Sequence, residues 1–368
     1  MSGRRTDLLQ LLPRLPAYLA FRRFGRPRPL PFNLVVSLTY RCNSRCKTCN
    51  VWQRSAEELT AQEWARVFQG IGTAPYYLTF SGGEPFLRQD IMEIVGSALH
   101  ICQPAVITIP TNALLTDVIP RAVDQILHET GGSSLGINIS LDGIGEEHDA
   151  IRGVPGNYER ALETYGQLRA IQDPNLTLNI HTVVSRFNVE RVPQIYAELA
   201  KLQPHSFISE VAEQRVELGT MEADIAPTPL EYAQVADFLT AKARNSGAPG
   251  LAGITQAFRA QYYQLAKRVL LERRQVIPCY AGFASAHISP EGDVWTCCTR
   301  AEPLGNLRDT NYQLAPIWAG TAAESLRRSI VAGECHCPMA NVSYSNMLLH
   351  PPTLFRVARQ VLFWSPPS

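Results

Sequence analysis

The sequence of 368 residues has little of several features that define large classes of protein. No apolar run reaches the roughly 18 residues that a membrane-spanning helix needs. The net charge is only +1, so no overall electrostatic field attracts nucleic acid. We therefore exclude a membrane-spanning protein and a nucleic-acid-binding protein, and we expect no nucleic acid among the partners.

Cysteine is also scarce, since nine in a chain of this length are too few for a disulfide scaffold. Eight of the nine nevertheless fall into two groups, one near the start of the chain and one near its end. Such clustering indicates metal or redox chemistry in a reducing compartment, so we expect a cytoplasmic protein. Cys102 stands alone, and we interpret it as an inert core thiol.

Acidic residues are rare at both ends of the chain. Residues 1–29 hold seven arginines and a single acid, Asp7, among leucines and phenylalanines, and the tail at 341–368 has a similar character. We predict two basic amphipathic segments that pack on the body of the protein. The alternative is peripheral contact with an anionic membrane. We do not expect a twin-arginine export signal at Arg4 and Arg5, because prolines interrupt the stretch that follows.

Apolar residues make up 45% of the chain and charged residues 18%, which is typical of a globular enzyme with a substantial core. From residue 33 to 211, short β-branched stretches alternate with helical ones, and a capping box at Thr60 and Glu63 begins one of the helices. The predicted strands are 33–39, 76–80, 105–110, 135–141, 176–184 and 205–211. This alternation predicts an α/β fold in which residues 30–211 form a partial (β/α)6 TIM barrel, with its chemistry at the C-terminal ends of the strands.

The rest of the chain changes character. Residues 212–278 contain two helical stretches, which we interpret as a helical bridge. Residues 279–340 carry five cysteines and contain a predicted hairpin that turns through 290–293. We expect a small C-terminal iron–sulfur module here, followed by the amphipathic tail at 341–368.

The segment "TYRCNSRCKTCN" directly follows the first predicted strand and contains Cys42, Cys46 and Cys49. Three thiolates can hold three irons of a [4Fe–4S] cluster and leave the fourth iron open to another ligand. A structural zinc site would need a fourth protein ligand, and no histidine lies nearby in the sequence. We favour the cluster and keep a zinc site as the alternative.

The C-x₃-C-x₂-C pattern is followed by "SGGEP" (81–85) after the second strand, and together they resemble a radical S-adenosylmethionine (SAM) enzyme over residues 33–340. The resemblance implies that SAM chelates the open iron and that one electron cleaves it to methionine and a 5′-deoxyadenosyl radical. That radical then abstracts hydrogen from a substrate. It further implies a reductase such as flavodoxin or ferredoxin. Thr48 stands where the family usually has an aromatic residue, and Trp52 is a candidate to cover the adenine instead.

The same resemblance assigns a SAM pocket. Gly82 and Gly83 let the backbone approach the ligand closely, and Glu84 is expected to bind the SAM amino group. The alternative for this motif is an ordinary turn at a strand end.

Three further segments complete the expected pocket. In "PTNA" (110–113), Asn112 is expected near the ribose. In "ISLDG" (139–143), Ser140 and Asp142 are expected to approach the ribose or the carboxylate of SAM. Arg152 of "HDAIRG" is expected to pair with the carboxylate. The alternatives for the last three residues are helix caps and surface ion pairs.

The second cysteine group resembles the SPASM and twitch modules of radical SAM enzymes. The resemblance implies one auxiliary [4Fe–4S] cluster held by Cys279, Cys297, Cys335 and Cys337, with a zinc site of four cysteines as the alternative. Neighbouring side chains on a strand point to opposite faces, so Cys298 is not expected to bind the same cluster. Cys298 is then either a small buried hydrophobe or a catalytic hydrogen donor at the barrel mouth.

The last two strands of the barrel supply candidate substrate contacts, namely His181, Glu210, Glu213 and Arg215, although for His181 we favour the role of a hydrogen-bonded core histidine. The expected reaction is oxidation, cross-linking or epimerisation of a small-molecule, lipid-linked or peptide substrate. No peptide-recognition domain is visible before the barrel, which favours the first two. The alternatives are a non-catalytic iron–sulfur electron carrier and a zinc-binding structural or interaction protein. "SGGEP" and "ISLDG" argue against the carrier, which needs no SAM pocket.

Overall fold

A computed structural model describes residues 10–246 and 250–362 of the chain. Six parallel strands form the barrel wall, and they follow the predicted segments closely. Neighbours in sequence are neighbours in the sheet, in the order β6-β5-β4-β3-β2-β1. The strands are β1 (Asn33–Thr39), β2 (Tyr77–Gly82), β3 (Val106–Thr111), β4 (Ser134–Ser140), β5 (Leu176–Val184) and β6 (Ser206–Val211). The predicted partial α/β barrel is therefore confirmed.

Helices connect the strands and cover the outside of the sheet. Thr60 caps one of them as predicted: its hydroxyl accepts a hydrogen bond from the Glu63 amide, and the Glu63 carboxylate accepts one from the Thr60 amide. A short helix after β4 was not predicted. The helices of this part are α1 (Leu15–Phe24), α2 (Ala61–Ile71), α3 (Ile91–Ile101), α4 (Val118–Glu129), α5 (Glu146–Arg152), α6 (Asn157–Ala170) and α7 (Val192–Leu199).

The two faces of each strand have different roles, as the alternation of side chains along a strand requires. In β1, Leu34, Val36 and Leu38 are fully buried in the main hydrophobic core, which also contains side chains of the surrounding helices. Asn33 and Val35 of the same strand line a cavity inside the barrel. The core therefore lies between sheet and helices, and the barrel interior stays open.

The predicted hairpin forms, but it is part of the barrel sheet. Strand β7 (Ser285–Ile288) lies parallel to β1, with Asn33 opposite Ser285. Strands β8 (Asp293–Trp295) and β9 (Pro303–Asn306) continue the sheet in antiparallel fashion. The sheet thus has nine strands, and the cysteine-bearing module begins as an extension of the barrel wall.

The C-terminal half of the chain adds six helices to the described structure. These helices are α8 (Pro229–Arg244), α9 (Gly250–Glu272), α10 (Leu314–Ala319), α11 (Thr321–Ala332), α12 (Ala340–Leu348) and α13 (Pro351–Leu362). The two helices predicted in the bridge are α8 and α9, and α9 packs against both α8 and α13. Within the described ranges, no helix is both long and apolar enough to cross a membrane.

The basic N-terminal segment packs on the body of the protein. Leu15, Tyr18 and Phe21 of α1 are buried, and the Tyr18 hydroxyl donates a hydrogen bond to the carbonyl oxygen of Leu30. Phe24, at the end of the helix, is 75% exposed. Packing against the body of the protein therefore accounts for one face of α1. The first nine residues, which include Arg4 and Arg5, lie outside the described residues. The boundaries of the five predicted segments stay predictions.

Candidate active site

A cavity of about 880 Å³ occupies the interior of the barrel. Its lining includes all three cysteines of the first loop, Cys42, Cys46 and Cys49, at the C-terminal end of β1. It also includes Cys297 and Cys298 of the second group. The fold therefore brings both predicted cysteine sites to the wall of a single chamber.

The loop that carries the first three cysteines is held by backbone contacts with the end of α5. The amide of Arg45 donates to the carbonyl oxygen of Arg152 at 2.9 Å, and that of Lys47 donates to Ile151 at 2.8 Å. A side chain at Gly153 would overlap the carbonyl oxygen of Arg45, so glycine permits this approach. The loop is thereby fixed before any ligand binds.

The three thiols of this loop are buried. Burial, with a smaller contribution from neighbouring thiols, raises the pKa of the Cys42 thiol to about 11 and that of the Cys49 thiol to about 12. Thiolates in such a place need positive charge beside them, which iron ions supply. The residues present therefore fit an iron–sulfur cluster.

The spacing of the cysteines in space disfavours a single zinc ion. Zn–S bonds of about 2.3 Å place the sulfurs of a tetrahedral site about 3.8 Å apart. Throughout residues 10–246 and 250–362, neither cysteine group contains three sulfurs that all lie within 4.8 Å of one another. A cluster of four irons is wider than a single ion, so both groups suit clusters better than zinc.

The two glycines of "SGGEP" let this segment lie directly against the start of the cysteine loop. Gly82 has a φ of 118°, and a side chain there would overlap the carbonyl oxygen of Thr39. A side chain at Gly83 would overlap the carbonyl oxygen of Arg41. The Glu84 amide donates a hydrogen bond to the same oxygen at 2.9 Å. The glycines are thus required by contact between two loops, and close approach of SAM to them stays a prediction.

Glu84 is 1% exposed and already has partners inside the protein. Its carboxylate accepts hydrogen bonds from the Thr111 hydroxyl at 2.9 Å, the Asn112 amide at 2.8 Å and the Phe86 amide at 3.3 Å. Burial raises its pKa to about 7. The carboxylate therefore fixes the end of β3 beside the cysteine loop, a role that the sequence did not suggest. Its contact with the SAM amino group stays a prediction.

Asn112 links β3 to the cysteine loop. Its side-chain amide donates to the Asn43 side chain at 2.7 Å and lies 3.8 Å from the Cys42 sulfur. The next residue, Ala113, has a left-handed φ of 61° at a position where the family often has glycine. Asn112 lines the cavity, and its contact with the ribose stays a prediction.

Arg152 is a buried cation beside the cysteine loop. Its Nε lies 2.8 Å from the Asp142 carboxylate, and its Nη1 lies 3.7 Å from the Cys46 sulfur. Asp142 also accepts a hydrogen bond from the Val183 amide at 2.8 Å, and it does not line the cavity. Asp142 thus holds Arg152 in place, and its expected contact with SAM stays a prediction. Arg152 and Ser140 do line the cavity, so their contacts with SAM stay predictions.

Trp52 does not line the cavity either. Its ring packs against the Arg45 guanidinium, 4.5 Å away, whereas Thr48 is part of the lining. The expectation that Trp52 covers the adenine is therefore not supported by its position.

The second cysteine group gathers around one small apolar cluster. Burial, with smaller contributions from the thiols of Cys297 and Cys335, raises the pKa of Cys279 to about 12. Burial also raises the pKa of Cys337, where Cys297 and Cys279 again contribute. These four thiols are therefore mutual neighbours, as expected for one auxiliary cluster, while the assignment of each as a ligand stays a prediction. Cys298 is buried at the cavity wall.

The predicted substrate contacts form one ionic network at the cavity wall. The imidazole of His181 lies 3.5 Å from the Glu210 carboxylate. The Arg215 guanidinium lies 3.4 Å from Glu210 and 3.1 Å from Glu213. Burial raises the pKa of Glu213 to about 6, although Arg215 opposes this rise. Their substrate contacts stay predictions.

Three polar residues of the barrel interior were missed from the sequence, namely Ser37, Glu217 and His287. The Ser37 hydroxyl lies 2.8 Å from His287 Nε2 and donates to the Glu217 carboxylate at 3.0 Å. His287 Nε2 lies 3.2 Å from the same carboxylate. These residues meet because β7 pairs with β1, and no local pattern in the sequence predicts that pairing.

Comparison with known proteins decides the family. The sequence model of the radical SAM superfamily matches residues 36–199, and that of an iron–sulfur cluster-binding domain, SPASM, matches residues 279–338. The chain contains a radical SAM domain followed by a SPASM iron–sulfur domain. Its cofactors are accordingly SAM and [4Fe–4S] clusters, in agreement with the resemblance seen in the sequence.

Curated relatives of this radical SAM protein align over different shares of their length. Pre-heme d1 synthase of Dinoroseobacter shibae is 32% identical over 46% of the chain and 40% of that protein. PqqA peptide cyclase of Granulibacter bethesdensis is 26% identical over 80% of the chain and 75% of that protein. The chain spans only 40% and 39% of the full length of the two relatives that align at 32% identity.

Solved structures agree on the fold. The crystal structure of Streptococcus suis SuiB bound to S-adenosylmethionine superposes with a TM-score of 0.63 at 13% identity, over 89% of this chain and 74% of that one. At such low identity the likeness concerns the fold alone. It confirms the partial barrel followed by a C-terminal module.

Proposed function

We propose that the chain is a radical SAM enzyme that cleaves SAM reductively and abstracts hydrogen from a substrate bound in the barrel cavity. The observation that carries the proposal is the single cavity lined by the first cysteine loop and by Cys297. A radical formed at one end can therefore meet a substrate that is also close to the auxiliary module. This layout suits net oxidation, cross-linking or epimerisation.

When bound and reduced, the first cluster would supply one electron to the sulfonium of SAM, and the cleavage would give methionine and a 5′-deoxyadenosyl radical. The chain's own residues hold the site in place. Cys42, Cys46 and Cys49 are the ligands proposed for the first cluster. Arg152, near the Cys46 sulfur, balances negative charge and is available to the SAM carboxylate. The barrel walls keep water away from the radical.

The second cysteine group provides the other functional site. We assign Cys279, Cys297, Cys335 and Cys337 as ligands of an auxiliary [4Fe–4S] cluster. Cys297 lines the cavity, so that cluster is placed to take an electron from a substrate radical or to hold the substrate.

The substrate that we favour is a peptide. PqqA peptide cyclase aligns over three quarters of its length, and SuiB is known in a structure bound to the precursor peptide SuiA. Other relatives are named heme synthases, so a small molecule is the second candidate and a lipid-linked one the third. A reductase such as flavodoxin or ferredoxin and a cytoplasmic location complete the proposal, and peripheral membrane contact remains the alternative to packing of the basic ends.

Electron paramagnetic resonance of the reduced protein separates this proposal from its alternatives. After anaerobic reconstitution and reduction with dithionite, we expect a [4Fe–4S] signal that changes when SAM is added, because SAM binds the open iron. A non-catalytic electron carrier would give a signal that SAM leaves unchanged. A zinc protein would give no such signal, and either result would contradict the proposal.

A further inference from the structure

Three buried side chains of different chemistry meet at the cavity wall, and none of them is an assigned cluster ligand, although Cys298 directly follows Cys297. Glu217, His287 and Cys298 place a carboxylate oxygen, an imidazole nitrogen and a thiol sulfur within 4.8 Å of one another. All three are at most 6% exposed, and all line the cavity. Among residues 10–246 and 250–362, no other three histidine, cysteine or acidic side chains gather so closely.

The three side chains are brought together by the sheet extension. His287 lies on β7, Cys298 follows β8, and Glu217 lies in the loop after β6. The Glu217 amide donates to the carbonyl oxygen of Cys298 at 3.4 Å, which holds the loop against the module. Ser37 of β1 contacts both the imidazole and the carboxylate, and so orients two of the three donors.

The surroundings of these donors are rich in buried acidic side chains, whose partners are Arg215 and the imidazoles of His181 and His287. Three carboxylates, those of Glu210, Glu213 and Glu217, lie around one guanidinium, that of Arg215, with distances of 3.1–3.4 Å for the first two. Arg215 also interacts with Glu217 and Cys298. Charges buried in a protein need opposite charges beside them, and a divalent cation next to Glu217 would supply them.

We propose that Glu217, His287 and Cys298 bind a single transition-metal ion of the Zn²⁺ or Fe²⁺ type, separate from both iron–sulfur clusters. Carboxylate, imidazole and thiolate are all common ligands of these borderline ions. Ser37 acts as a positioning residue that fixes the histidine and the carboxylate, as partners of metal ligands commonly do. Three protein ligands leave a coordination position open, as in catalytic rather than structural sites.

The open position would face the substrate cavity. If the proposed radical SAM function holds, the ion would bind an oxygen of the substrate, such as a carbonyl, carboxylate or hydroxyl group, and fix it between the two clusters. The metal-bound thiolate has no hydrogen to give. This proposal and the predicted role of Cys298 as a hydrogen donor therefore exclude each other.

Metal analysis of the reconstituted protein tests the site without any turnover. The protein with its clusters in place is incubated anaerobically with Zn²⁺, freed of excess ion, and analysed for zinc and iron. We expect one zinc per chain in addition to the cluster iron. Zinc K-edge X-ray absorption should show one sulfur at about 2.3 Å, with nitrogen and oxygen ligands at about 2.0–2.2 Å.

Variants locate the ion. H287A and C298A should lose the zinc and keep the iron, whereas C102A, which alters a buried thiol elsewhere in the core, should keep both. S37A should weaken zinc binding by roughly ten- to a hundredfold, the usual effect of losing a partner of a ligand. Unchanged zinc in H287A and C298A would overturn the proposal.

The absorption spectrum of the wild-type protein decides the matter even if the variants fail to fold. A shell of sulfur alone would mean that zinc occupies a cluster site, and an absence of bound zinc would mean that no such site exists. Either result would overturn the metal site. Both leave SAM cleavage untouched, so failure of this proposal is distinguishable from failure of the proposed function.

Discussion

Replacing Glu84 by glutamine tests whether this buried carboxylate supports SAM binding. One carboxylate oxygen accepts from the Asn112 amide at 2.8 Å, and the other accepts from Thr111 and Phe86. E84Q keeps one acceptor but removes the charge, and its NH2 group faces either the Asn112 N–H or the two donors of Thr111 and Phe86. Loss of one hydrogen bond to a charged group costs about 1.5–3 kcal/mol. SAM binding should therefore weaken by roughly ten- to a hundredfold.

The assay is calorimetric titration of SAM into reconstituted E84Q, with iron measured on the same sample. T111V is the matched control, because it removes a hydrogen bond to the same carboxylate without altering any group proposed to touch SAM. We expect T111V to bind SAM within about threefold of wild type, since the hydrogen bond that it loses lies within the protein and contributes mainly to folding. Wild-type SAM affinity in E84Q with full iron content would refute the reasoning.

Three further outcomes follow from the structure. Replacing the three cysteines of the first loop by alanine should lower the iron content from about eight to about four per chain; an unchanged content would show that the loop holds no cluster. D142N should lower the free energy of unfolding by about 3–5 kcal/mol, because it leaves Arg152 as an unpaired buried charge; a normal denaturant midpoint with weakened SAM binding would instead show that Asp142 contacts SAM directly. F21A should cost about 3–5 kcal/mol, since Phe21 is 2% exposed and packs on Phe283; a loss below about 1 kcal/mol would mean that α1 is not part of the core.

The sequence was a good guide wherever structure depends on local pattern. The six barrel strands could be predicted because each is a short β-branched run between helical stretches. The start of α2 could be predicted because Thr60 and Glu63 form a capping box. The cysteine loop could be placed because chemistry in such barrels lies at the C-terminal ends of strands.

Pairing between strands that are distant in the chain could not be predicted from the sequence. Strand β7 has four residues, and its pairing with β1 joins positions about 250 apart, such as Asn33 and Ser285. Without that pairing, His287 could not be placed beside Ser37 and Glu217. The contacts of Asp142 with Arg152 and Val183 could not be predicted for a similar reason, because they join segments that are distant in the sequence.

The most direct test of the central claim is the fate of SAM in the reduced enzyme. The reconstituted protein is incubated anaerobically with dithionite and SAM, and 5′-deoxyadenosine and methionine are quantified by mass spectrometry. We predict that the two products form in equal amounts, and that the variant lacking the three cysteines of the first loop forms neither. Full iron loading with no 5′-deoxyadenosine above that variant's background would contradict the account.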